Sequence, residues 1–190
     1  MIIKHFEITK EKFDKHNFFL IYGENEGLKK EIIQTLKAKF SGNAKNYDEG
    51  EIISNNELFY ENLFNGSLFE KEKVIIVNRC SEKIYNVVEK MIDKRISDTK
   101  IILNLNILEK KSKLRSLFEK NKDLVIIPTY KDNSSALTEI ARKFFYNYKI
   151  SISQETINLL ISRCNGDRGH LKTELDKILI YMNDKKNINL

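Results

Sequence analysis

The chain has little with which to build a covalent or metal-held framework. Its two cysteines, Cys80 and Cys164, have no CxxC neighbour, and its three histidines, His5, His16 and His170, are scattered. That argues against a disulfide scaffold and against a zinc site, so no metal is expected. Cys164 falls on an apolar helical stripe and reads as a small core residue. Pro128 is the only proline. No apolar run approaches the roughly 18 residues of a membrane span, and the opening MIIKHFEITKEKF turns charged too soon for a secretory signal. A cytoplasmic protein with no membrane partner is expected. Also missing are GxSxG, HExxH and paired carboxylates in an apolar context, so no catalytic constellation is visible.

What remains is an ordinary globular composition. With 190 residues, 41% hydrophobic and 32% charged, the chain suits one medium domain or a domain plus a small satellite. Thirty-three Lys and Arg against 27 acids give +6, with the signs interleaved. That permits contact with nucleic acid without demanding it, and a solvated basic surface is the simpler reading.

Apolar bursts alternate with helical periods. Residues 18–22, 44–47, 73–77, 100–105 and 124–128 are short, mostly rich in β-branched or aromatic residues, and read as strands. Helices are expected over 28–40, 56–64, 81–94 and 111–119. Strands apolar on both faces, separated by helices, predict a parallel sheet covered on both sides. After Pro128, which should end the last strand, no further strand is expected. Ser134 or Ser135 can cap a helix carrying Leu137, Ile140, Ala141, Phe144, Phe145 and Tyr148, and Ser153 can cap a second. NGDRG (165–169) then breaks the chain before a third helix with Leu171, Leu175, Ile178, Leu179 and Met182. The expected organisation is an α/β domain over 1–130 and a small helical domain over 131–190. The uncapped tail NDKKNINL suggests a fragment whose natural sequence continues.

LIYGENEGLKKEII (20–33) has the outline of a phosphate-binding loop. A working loop is GxxxxGK[ST], in which backbone amides wrap the phosphates, the lysine neutralises them and the hydroxyl holds magnesium. Here Gly23 is followed by Glu24, Asn25, Glu26 and Gly27, and then Leu28, Lys29 and Lys30 stand where Gly, Lys and Ser/Thr belong. A carboxylate about 4 Å from a phosphate charge costs roughly 4 kcal/mol at an effective dielectric of 20, and Glu24 and Glu26 are two such groups. The strand KVIIVNRC, where an acidic metal ligand should follow, ends instead in Asn78 and Arg79. ATP hydrolysis is therefore disfavoured and no cofactor is expected. Glu24 and Glu26 also suit an ordinary strand-to-helix turn beside a helix N-terminus, with Gly23 supplying an unusual backbone angle.

FFLIYGENEGLKKEII, GSLFEKEKVIIVNRC, KIILNLNILEKKSKLRSLFEK and GDRGHLKTELDKILIY, in that order and spacing, resemble the delta subunit of bacterial DNA polymerase III. The resemblance implies an AAA+ module: a RecA-like parallel sheet flanked by helices, then an all-helical lid, with a C-terminal collar domain missing from this chain. It implies a nucleotide loop that neither binds nor hydrolyses ATP. It implies that the sliding clamp (the beta subunit) is bound and its ring held open for loading onto primed DNA. Gamma/tau and delta prime subunits would be partners, with DNA inside the assembly. The family's clamp contact matches Leu68 and Phe69, beside Ser67. By pattern alone this doublet either docks a partner or folds back onto the core, and Leu63 and Phe64 read as the buried face of the preceding helix. Arg168 lies near the lid arginine that senses phosphate in ATPase relatives, but reads here as a surface residue at a helix start. Lys110, Lys111, Lys113 and Arg115 could face DNA or form a solvated face. Two other classes compete: a divergent P-loop ATPase or kinase using Lys29, and a stand-alone nucleic-acid module.

Overall fold

The computed structural model describes residues 1–40, 43–64, 73–94, 96 and 98–182, and the backbone of 187–188. Two compact units emerge: Met1–Gly23 with Glu31–Thr129, and Glu24–Lys30 with Tyr130–Leu190. Among the described residues no helix is long and apolar enough to cross a membrane.

The first unit is built on five parallel strands: β1 Phe18–Gly23, β2 Asn43–Asp48, β3 Lys73–Cys80, β4 Thr99–Leu105 and β5 Leu124–Thr129. Their order is β2-β3-β4-β1-β5, with every pairing parallel. The helices that connect them are α1 Glu26–Lys39, α2 Glu49–Ser54, α3 Asn56–Phe64, α4 Tyr85–Asp93 and α5 Lys113–Lys120. The central strands are apolar at successive positions because both faces are covered. On one face Leu20, Ile75, Val77, Ile101 and Leu103 meet Phe59, Val88, Met91, Leu114 and Phe118 in one core. Phe19 of β1 lies on the other face, where its ring contacts Phe13 and Phe40 edge-on or tilted. β2 is a mostly polar edge strand, whereas the β5 edge takes a parallel bridge from Ile2.

Several expectations change here. Pro128 does not end its strand: β5 runs to Thr129, whose hydroxyl donates to the Tyr22 carbonyl. α2 was not legible, because Glu-Gly-Glu is poor helix sequence; it is held by the reciprocal cap of Asp48 and Glu51. The expected helix over 81–94 splits into a 3₁₀ turn, Glu82–Ile84, and α4. Phe64 is 39% exposed while Leu63 is buried, so only one of that pair faces the core. Ser67, Leu68 and Phe69 lie outside the described residues.

The second unit packs α6 Ser134–Asn147, α7 Gln154–Arg163 and α8 Arg168–Met182. Leu137, Ala141 and Phe145 meet Ile157, Ile161, Cys164, Leu171 and Leu175 in a single core. Asn133, not a serine, caps α6, its side-chain oxygen accepting from Ala136 N at 2.8 Å. Strands also follow Pro128, against expectation: β6 Ser151–Ile152 and β7 Asn187–Ile188 form a two-residue parallel ladder too short to leave a period in the sequence. Asn165 and Gly166, at φ 48° and 78°, turn the chain between α7 and α8.

Candidate functional site

The degenerate loop leaves β1 at Gly23, whose φ is 141° and whose amide donates to the Asn106 carbonyl. A Cβ there would lie 2.0 Å from the Thr129 carbonyl oxygen, so only glycine fits. Next comes Asn25, fully buried, whose side-chain oxygen accepts from Leu28 N at 3.0 Å and so caps α1. The Asn25 amide nitrogen donates to the Tyr130 carbonyl and to Asp132 Oδ2. The loop is thereby fastened to the segment that leads into α6.

A phosphate would need the free amides at the start of α1. They are already taken. Asp167 Oδ2 accepts from Glu26 N at 3.0 Å and its Oδ1 from Gly27 N at 3.3 Å, while Oδ1 also receives Gly169 N at 2.6 Å and His170 N at 3.3 Å. One carboxylate thus answers the first amides of both α1 and α8, where the positive ends of the two helix dipoles favour an anion. The backbones touch beside it: a Cβ on Gly27 would sit 2.1 Å from Gly169 N. Asp132 grips Arg168 with two bonds, Nε to Oδ2 at 2.8 Å and Nη2 to Oδ1 at 2.5 Å, both side chains largely buried. Arg168 is therefore an internal fastener, correcting its expected role as a surface residue. Lys29 is 1% exposed with its Nζ 2.6 Å from Glu26 Oε1. Leu28 is buried, and Lys30 is exposed at the position of the magnesium-binding hydroxyl. Glu24 pairs with Lys131.

At the end of β3, Asn104 Nδ2 donates to Asn78 Oδ1 at 3.3 Å, and Arg79, at φ 54° in a β-bulge, pairs with Asp48. Among the described residues no cluster of His, Cys, Asp and Glu could hold a metal. Sequence reasoning missed Asp132 and Asp167. The only signal for Asp167 was its place in NGDRG between two glycines, each needed for a turn or a close approach.

The strand order and the lid-like helices decide the fold. It is AAA+-like. The DNA clamp loader delta protein (YqeN) of Bacillus subtilis superposes with a TM-score of 0.58 at 16% identity, over 97% of this chain and 59% of that one. Domain III of the Thermotoga maritima replication initiation protein DnaA gives 0.53 at 15% identity, over 98% and 85%. The chain thus spans about three-fifths of the length of the clamp loader delta protein it resembles. No protein-family model matches the sequence, and a sequence comparison with curated proteins returns no match.

Proposed function

We propose that this chain is a non-catalytic clamp-loader subunit of bacterial DNA polymerase III, which binds the sliding clamp and holds its ring open while neighbouring subunits hydrolyse ATP. The observation that carries the non-catalytic half is Asp167: a carboxylate of the chain itself occupies the α1 amides on which a triphosphate would depend. An incoming phosphate would have to break these bonds and approach Glu24, Glu26 and Asp167 together, while Lys29 is already neutralised. The clamp-binding half is supported by the fold shared with a clamp loader delta protein and by the apolar doublet Leu68 and Phe69, beside Ser67, in a polar stretch. Two such side chains entering a pocket contribute about 1.5–3 kcal/mol each.

Mixing the chain with the cognate clamp tests the proposal. Leu68→Ala/Phe69→Ala should weaken capture by about a hundredfold or more, equivalent to about 2.8 kcal/mol, with the circular dichroism spectrum unchanged. Undiminished capture by the double variant would remove Leu68 and Phe69 from the interface. Tight magnesium-dependent ATP binding, abolished by Lys29→Ala, would replace the proposal with the divergent ATPase or kinase.

A further inference from the structure

The basic run at 110–115 does not form one solvated face. Arg115 turns inward: its side chain is 18% exposed, its Nε lies 2.7 Å from Glu119 Oε1, and its guanidinium sits over the Tyr22 ring at 5.2 Å. Lys111 and Lys113 instead line a hollow of about 950 Å³ on the α4–α5 side of the sheet, with Lys120, Lys122 and Asp123. A second hollow of about 870 Å³ shares Tyr85, Lys111 and Lys113 with the first and adds Arg79 and Lys83. The two are therefore continuous.

Six cations and three carboxylates line this groove, and the carboxylates are committed locally. Glu82 accepts from Ser112 Oγ at 2.5 Å and Leu114 N at 3.0 Å, and Glu109 pairs with Lys111 at 3.0 Å. Lys83, Lys120 and Lys122 are exposed and have no ion-pair partner among the described residues. The Tyr85 ring lies in both hollows, its hydroxyl donated to Glu89. Concentrated unpaired lysines with one aromatic ring in a concave surface match a nucleic-acid strand, whose phosphates need cations and whose bases or sugars stack on a ring. A bilayer presents a plane of headgroups and does not enter a hollow.

We infer that this groove binds the phosphodiester backbone of a nucleic-acid strand directly. The inference rests on the groove's own chemistry and not on the clamp contact at Leu68 and Phe69, so each can fail without the other. The test is fluorescence anisotropy of the 190-residue chain with labelled single-stranded DNA and RNA of one sequence across a salt series. Lys113→Glu/Lys120→Glu/Lys122→Glu is compared with Lys37→Glu/Lys143→Glu/Lys172→Glu; each triple takes the net charge from +6 to zero. The groove triple should lose at least tenfold in affinity and lower the slope of log K against log salt by about two, near 0.7 per lost contact on a single strand. The control triple should retain most of both. The milder Lys→Gln triple in the groove should lose affinity in the same direction, which guards against misfolding. The DNA and RNA arms say which strand is preferred. No binding by the wild-type chain, equal losses in both triples, an undiminished groove triple, or full competition by phosphatidylserine vesicles would each overturn the inference.

Discussion

Gly27 shows how a residue can be legible while its reason is not. The sequence marks it as a turn glycine, but what demands it is Gly169, far away in the chain, whose backbone nitrogen would lie 2.1 Å from an added Cβ. Backbone cannot yield as the end of a flexible side chain can. Gly27→Ala should therefore cost about 1–3 kcal/mol, a fall of roughly 2–12 °C in the thermal midpoint for a chain of this size. Gly50 in α2 is the internal control, because nothing lies within 4 Å of a Cβ there. Alanine at that helical position should stabilise by about 0.5–1 kcal/mol, chiefly by restricting the unfolded chain. Scanning calorimetry of both variants checks the pair, and equal shifts would mean that the Gly27–Gly169 approach carries no energetic weight. Lys100 is illegible in the same way. It reads as an ordinary strand residue, yet it is 4% exposed and donates to the carbonyls of Asp14 and His16 and to Asn17 Oδ1.

At the scale of elements, α5 was expected from its period, and its cap was only half visible. Ser112 accepts from Arg115 N, as a sequence reader anticipates for a serine before an apolar stripe. Glu82, from the 3₁₀ turn before α4, completes the cap by accepting from Ser112 Oγ and Leu114 N, a long-range contact without a local signal. Burial alone would raise the Glu82 carboxyl, but the hydrogen bonds from Ser112, Leu114 and Lys113, with the Lys113 charge, hold it below its ordinary value. A depressed carboxyl adds stability that is present above its unfolded value of about 4.3 and is lost as pH falls through the folded value. Glu82→Gln should cost about 1 kcal/mol at pH 7, a modest figure because the residue is exposed. The difference should shrink toward zero near pH 3, followed by urea unfolding at both pH values. A constant difference would assign the effect to shape and not to charge. The loop that binds Asp167 was half visible in the same sense: Glu24, Glu26, Leu28 and Lys30 declared that phosphate was unwelcome. The carboxylate that takes its place comes from a turn whose partners no local pattern reveals.

For the whole molecule, the α/β class was readable because each central strand is apolar at successive positions and each connecting helix repeats its own stripe. Those signals are local, whereas the β2-β3-β4-β1-β5 order depends on pairings between distant segments. The cysteines give a reporter inside each unit. Cys80 belongs to the sheet core and Cys164 to the helical core, and both are free thiols. Burial pushes both thiols up, reinforced by Glu49 and Asp48 at Cys80 and by Glu174 and Asp167 at Cys164. A raised thiol contributes stability that is whole below its unfolded value of about 8.5 and declines as pH rises toward the folded value. Between pH 7.5 and 9.5 the Cys80 thiol alone should withdraw about 1.4 kcal/mol, since the unfolded chain ionises there and the native chain does not. Cys80→Ala should flatten that decline. In native buffer at pH 8, a chromogenic disulfide reagent should label neither thiol quickly. In rising urea, Cys80 of a Cys164→Ser variant should react only as the sheet core opens. Rapid labelling of either thiol in the native chain would show that its core opens well below the global transition.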